Sequence, residues 1–129
     1  MTVWICMFLI AIICPIIITG MGLCFRRKAP TKINRLFGYR TKKSMRNEDT
    51  WKFAHKYIGN LWLVEGLILI ILSVVSMLCV IEKNDVIVIV VSLTLCIVEI
   101  IAIIVSIIFT ERALKRLLIK GANHSRLAP

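Results

Sequence analysis

At 129 residues, 59% hydrophobic and with a mean hydropathy of +0.88, the chain is more apolar than a soluble domain, for which roughly 45 to 50% is usual. The net charge of +10 could suggest nucleic acid, but the basic residues sit beside apolar runs, as on the cytoplasmic flanks of membrane helices. No nucleic-acid partner is expected, and residues 1–129 read as a single all-α integral membrane domain.

Val3 to Phe25 carries no charge and has only Pro15, Thr19, Gly20 and Gly22 to interrupt it. At a 1.5 Å rise its roughly 23 residues cover about 34 Å, enough to cross a hydrocarbon core of about 30 Å. With no basic start and no short apolar core before a cleavage site, it reads as a retained helix, with a kink expected at Pro15. Arg26 to Asn60 then holds 11 of the 17 basic residues and two acids, Glu48 and Asp49, so it must be a loop at a membrane surface. Leu61 to Ile81 and Val86 to Phe109 are the second and third spans, and the short polar turn from Glu82 to Asp85 makes them an antiparallel hairpin.

Lys and Arg are retained on the cytoplasmic side, and their distribution sets the orientation of this three-helix bundle. The first loop has eleven, the second has Lys83 alone, and the tail from Thr110 to Pro129 has Arg112, Lys115, Arg116, Lys120 and Arg126. The amino terminus is therefore expected outside, with loop 26–60 and tail 110–129 in the cytoplasm. In the tail, Leu114, Leu117 and Leu118 oppose Arg112, Lys115 and Arg116, the pattern of a helix leaving the bilayer or lying on it. Gly121 is the expected stop, with disorder beyond.

Cys6, Cys14, Cys24, Cys79 and Cys96 lie within or beside apolar runs without a C-x-x-C pair, and His55 and His124 stand alone, so no metal or cofactor is expected. No nucleophile with a base at motif spacing and no phosphate-binding glycine loop is present, which argues against an enzyme.

The loop is patterned. Ala29-Pro30 disfavours helix, and Phe37-Gly38-Tyr39 suits a turn. Ser44 is placed to cap a helix beginning near Met45, after which Trp51, His55, Ile58, Trp62 and Glu65 follow at spacings of four, three, four and three. The second transmembrane helix is thus expected to begin inside the loop, around residues 45 to 50, with Trp51, Tyr57 and Trp62 as interfacial anchors.

Asn34, then Phe37-Gly38-Tyr39-Arg40-Thr41, Ser44, Asn47, Trp51, Ala54-His55 and Gly59 together resemble the signature of the SdpI/YfhL family of membrane proteins. The likeness covers about residues 34 to 66. It implies a compact helical membrane fold and, from the family's named member, protection of a bacterial cell against a secreted membrane-active toxic peptide. Within the motif, Arg40 could pair with lipid phosphate, with the last carbonyls of a helix, or with Glu65. Gly38 and Gly59 suit close backbone approach or a positive φ.

Two acids lie inside the apolar runs, where a carboxyl costs about 2.5 to 3.5 kcal/mol at a helix centre and so faces a partner or a wet cavity. Glu65 is about 6 Å deep, within snorkelling reach, and could meet Arg40 or His55. Glu99 lies near mid-span in a stripe of Ser92, Glu99 and Ser106 with Cys96 and Ala102 beside it. This stripe is expected to face Trp62, Glu65, Leu69, Leu72, Ser76 and Cys79, with Glu99 protonated or hydrogen-bonded to a serine or threonine, as structural glue or as a proton- or ligand-linked site.

Three functions fit these features: a membrane immunity or resistance protein, a small proton-coupled exporter using Glu99, and a holin-like pore former. The long patterned loop counts against the third. The expected setting is the bacterial cell membrane, crossed several times. Lipid is the expected partner, with a toxic peptide or a cytoplasmic regulator as further candidates and a homo-oligomer as a possible assembly.

Overall fold

In the computed structural model the described residues are 1–28, 31–33 and 36–127, without the side chains of 123–127. Three helices make up the fold: α1 (Thr2–Arg27), α2 (Glu48–Cys79) and α3 (Asp85–Leu127). Each is long and apolar enough to cross a membrane, and no strand occurs among the described residues.

The start of α2 lies inside the basic loop, as the stripe from Trp51 to Trp62 indicates, but Ser44 is not its cap. Asn47 is, accepting from the Thr50 N–H at 2.7 Å while its own N–H donates to Thr50 Oγ1 at 3.1 Å. Ser44 is drawn away by the turn before it. The α2–α3 connection is the expected polar turn, with Asn84 Oδ1 accepting from the Ile87 N–H at 3.0 Å.

Gly121 does not end α3, which stays helical through Leu127 in place of the expected disorder. A helical glycine costs only about 1 kcal/mol, so by itself it does not end a helix. Leu114 is fully buried while Arg112, Lys115 and Arg116 are exposed, so this part of α3 keeps one face packed on the loop and α2.

The helices pack around a lengthwise seam. Toward the hairpin end Ala11, Met77, Val80, Val88 and Leu95 form one core; toward the loop end Phe25, Tyr39, Ala54, Ile58 and Leu114 form another. The most extensive pairing is between α1 and α2, and its cause is small residues. A Cβ on Gly22 would lie 2.5 Å from the Leu63 nitrogen, and one on Gly59 would lie 2.9 Å from Phe25 Cβ. Backbones this close gain dispersion contact that a larger side chain would prevent. The outward faces carry exposed Ile, Leu and Val along all three helices, as a lipid-facing surface requires.

Candidate functional site

The loop folds around a histidine. Gly38 has φ +125°, a backbone that side chains resist, and a Cβ there would also collide with His55 Nε2 and the Trp51 ring. With no side chain in the way, the Tyr39 N–H donates to His55 Nε2 at 2.9 Å, and His55 Nδ1 sits 2.8 Å from the Trp51 carbonyl. His55 is fully buried, its ring tilted against Trp51 at 4.2 Å and edge-on to Phe25 at 4.9 Å between ring centroids. It stands before the apolar run that begins at Leu61. Burial lowers its pKa, partly opposed by the Trp51 carbonyl.

The following residues tie the turn to α2. The Ser44 hydroxyl donates to the Tyr39 carbonyl at 2.7 Å and accepts from the Thr41 N–H at 2.9 Å, and Thr50 Oγ1 donates to the Ser44 carbonyl at 3.1 Å. A third attachment reaches α3. The Tyr39 hydroxyl donates to Glu111 Oε1 at 3.1 Å, and Lys43 Nζ lies 3.0 Å from Glu111 Oε2. Burial pushes the Glu111 carboxyl up, but hydrogen bonds from Thr41, Lys43 and Tyr39, with the Lys43 charge, hold it below its usual value. The Tyr39 phenol is raised by its burial and by the neighbouring carboxylate.

Several expectations change here. Trp51 is no interfacial anchor: it is fully buried under Gly38, and its indole Nε1 has no hydrogen-bond partner. His55 does not meet Glu65, since both of its ring nitrogens face backbone. Arg40 is exposed on the loop. Gly59 does make the expected close backbone approach, and it does so in the α1–α2 contact. Asn34 lies outside the described residues. Glu111 and Phe25, which hold the loop from α3 and α1, were not among the sequence candidates.

Inside the spans, Ser92, Glu99 and Ser106 form one buried stripe on α3. Ser92 donates to the Met7 carbonyl at 3.1 Å, and Ser73 donates to Glu99 Oε1 at 3.3 Å. The Trp62 indole donates to Ser106 Oγ at 3.0 Å. The α2 side of this seam therefore runs through Trp62, Leu69, Ser73 and Met77; Leu72 and Cys79 are exposed and Ser76 is half-buried. The expected stripe was rotated by roughly 60° about the helix axis because Ser73 and Ser76, three apart, offer alternative polar lines on one apolar helix.

No cluster of His, Cys, Asp and Glu able to hold a metal ion occurs among the described residues. The residues so placed form a folded loop locked onto three helices, with two carboxyls below it in unlike surroundings.

This loop and the hairpin beneath it are the region in which comparison with known proteins finds likeness: the model of the SdpI/YfhL protein family matches residues 31–110. The chain belongs to the SdpI/YfhL family. The match takes in the Gly38 turn, His55, Glu65 and Glu99, and stops one residue short of Glu111. The chain is also 33% identical over 48 residues to the uncharacterized protein YfhL of Bacillus subtilis (strain 168), a stretch that is 37% of this chain and 44% of that protein. It thus spans less than half the length of that SdpI/YfhL relative. No solved structure matches.

Proposed function

We propose that this chain is a multi-pass protein of the bacterial cell membrane that protects its cell against a secreted, membrane-active toxic peptide. The observation that carries this reading is the family match over residues 31–110, whose motif residues build the loop latch. The basic residues of the loop and tail support an amino terminus outside and the latch in the cytoplasm. There the latch fixes the helix ends and presents a basic surface to lipid phosphate or to a cytoplasmic regulator.

An exporter would depend on a titrating Glu99, yet that residue is 2% exposed and bonded to Ser73, which suits glue between helices. A pore former would be expected to have short connections, whereas residues 36–47 fold against all three helices. Both points favour protection. Inducing the gene in sensitive cells tests the reading: survival of peptide challenge supports it, lysis on induction indicates a pore, and resistance to diverse cationic drugs indicates an exporter.

A further inference from the structure

The two intramembrane acids differ in one respect that points to a ligand. Glu99 receives the Ser73 hydroxyl, whereas Glu65 Oε1 is buried with no hydrogen-bond partner. The polar neighbour of Glu65 is Ser106. Ser106 donates its proton to the Ile103 carbonyl at 2.8 Å and accepts from the Trp62 indole at 3.0 Å, so it has no proton left for a carboxylate. The apolar runs contain no Lys or Arg. No described side chain donates to this oxygen.

Glu65 also lines a groove. An open depression of about 690 Å³ runs between α2 and α3, walled by Leu61, Val64, Ile68, Val105 and Phe109, and Glu65 is its one charged lining residue. Along α2 the lining extends from Tyr57 to Leu69, about 18 Å at a 1.5 Å rise. That is long enough for about three turns of a second helix laid in the groove, a recurrent mode of apolar peptide recognition.

We propose that the groove between α2 and α3 binds an apolar peptide helix bearing one basic group, which pairs with Glu65. This rests on the reading above and makes the toxic peptide the occupant. Length favours a helix over a compact amine, which would leave much of the groove empty. Charge complementarity favours a peptide with one basic group, because the groove holds one carboxyl among apolar walls. The pair is sheltered from water by the groove walls, where a charge-assisted hydrogen bond is stronger than at a surface.

The test uses the full chain in phosphatidylcholine nanodiscs and a fluorescent Leu/Ala peptide of about 18 residues with one central Lys, long enough to fill the groove. Its counterpart has norleucine in place of Lys. Glu65→Gln should weaken binding of the Lys peptide by about tenfold, the scale of one charge-assisted hydrogen bond, and leave the norleucine peptide unaffected. Val64→Trp, which fills the groove without touching the carboxyl, should weaken both, and circular dichroism checks that each variant is folded. Equal binding of the Lys peptide to the wild-type chain and Glu65→Gln overturns the proposal. So does Glu65-dependent binding of dansyl-dodecylamine without peptide binding, which assigns a small amine, or a photo-crosslink at Val64 joining two copies, which assigns self-association. Glu65-dependent peptide binding without cell protection keeps the site and removes the immunity reading. Protection without such binding does the reverse.

Discussion

The Tyr39 backbone N–H donates to His55 Nε2 at 2.9 Å, so that nitrogen must be unprotonated, while Nδ1 donates to the Trp51 carbonyl at 2.8 Å. The ring is held as the neutral Nδ1–H tautomer, and a second proton would set N–H against N–H. Burial lowers the folded-state pKa below the ordinary 6.5, against the smaller pull of the Trp51 carbonyl. The unlatched state therefore binds more protons, and the latch is fully stable above about pH 6.5 and weakens as pH falls through that value toward the folded pKa. The protection factor of the Tyr39 amide should fall as the pH goes from about 7.5 to about 5.5, so that its exchange slows less than the intrinsic chemical rate does. Exchange that follows the intrinsic rate throughout would contradict the latch.

Gly38→Ala meets two obstacles at once, a positive φ and a collision with His55 and Trp51. A loss of about 2 kcal/mol or more is expected. Denaturant titration in detergent micelles reads it, and an unchanged midpoint would mean that the turn is not packed on His55.

Glu111→Gln removes the charge that Tyr39 and Lys43 share. The Lys43 side chain is 41% exposed, so screening limits that pair, and the expected cost is about 1 kcal/mol. Tyr39→Phe should cost a similar amount, and the double variant should cost less than the sum because the two share one hydrogen bond. The folded Glu111 pKa lies below its ordinary 4.5, so this contribution is present above that pH and is lost as acid carries the pH down through the folded value. Additive single effects would show that the contact contributes nothing.

The α1–α2 contact has an internal control. Gly59→Ala would press on Phe25 Cβ and the Arg26 nitrogen, whereas a Cβ on Gly20 meets nothing within 4 Å. The first should destabilise by about 1 to 3 kcal/mol and the second should be neutral or stabilising by up to about 1 kcal/mol. Thermal unfolding of the two variants checks the order, and equal shifts would contradict the close crossing.

The spans and the early start of α2 were legible because they rest on local patterns: long uncharged runs, and a stripe from Trp51 through His55 and Ile58 that is buried as its spacing indicates. The fate of Trp51 was not legible, because a tryptophan near a basic flank looks alike whether it anchors at lipid headgroups or fills a core. Glu111 lies 72 residues from Tyr39, and nothing local in the tail marks an acid as its partner. The α2 side of the polar seam was misphased for a related reason: an almost uniformly apolar helix gives no strong face, and serines three apart define different lines.

In the proposed protective protein the latch holds the helix ends and the open Glu65 groove receives the peptide. Survival of cells lacking the gene, challenged with membrane-active peptides secreted by related bacteria, tests that claim most directly. The account predicts sensitivity in the deletion, rescue by the wild-type chain and weaker rescue by Gly38→Ala. Equal survival with and without the gene across those peptides would contradict it.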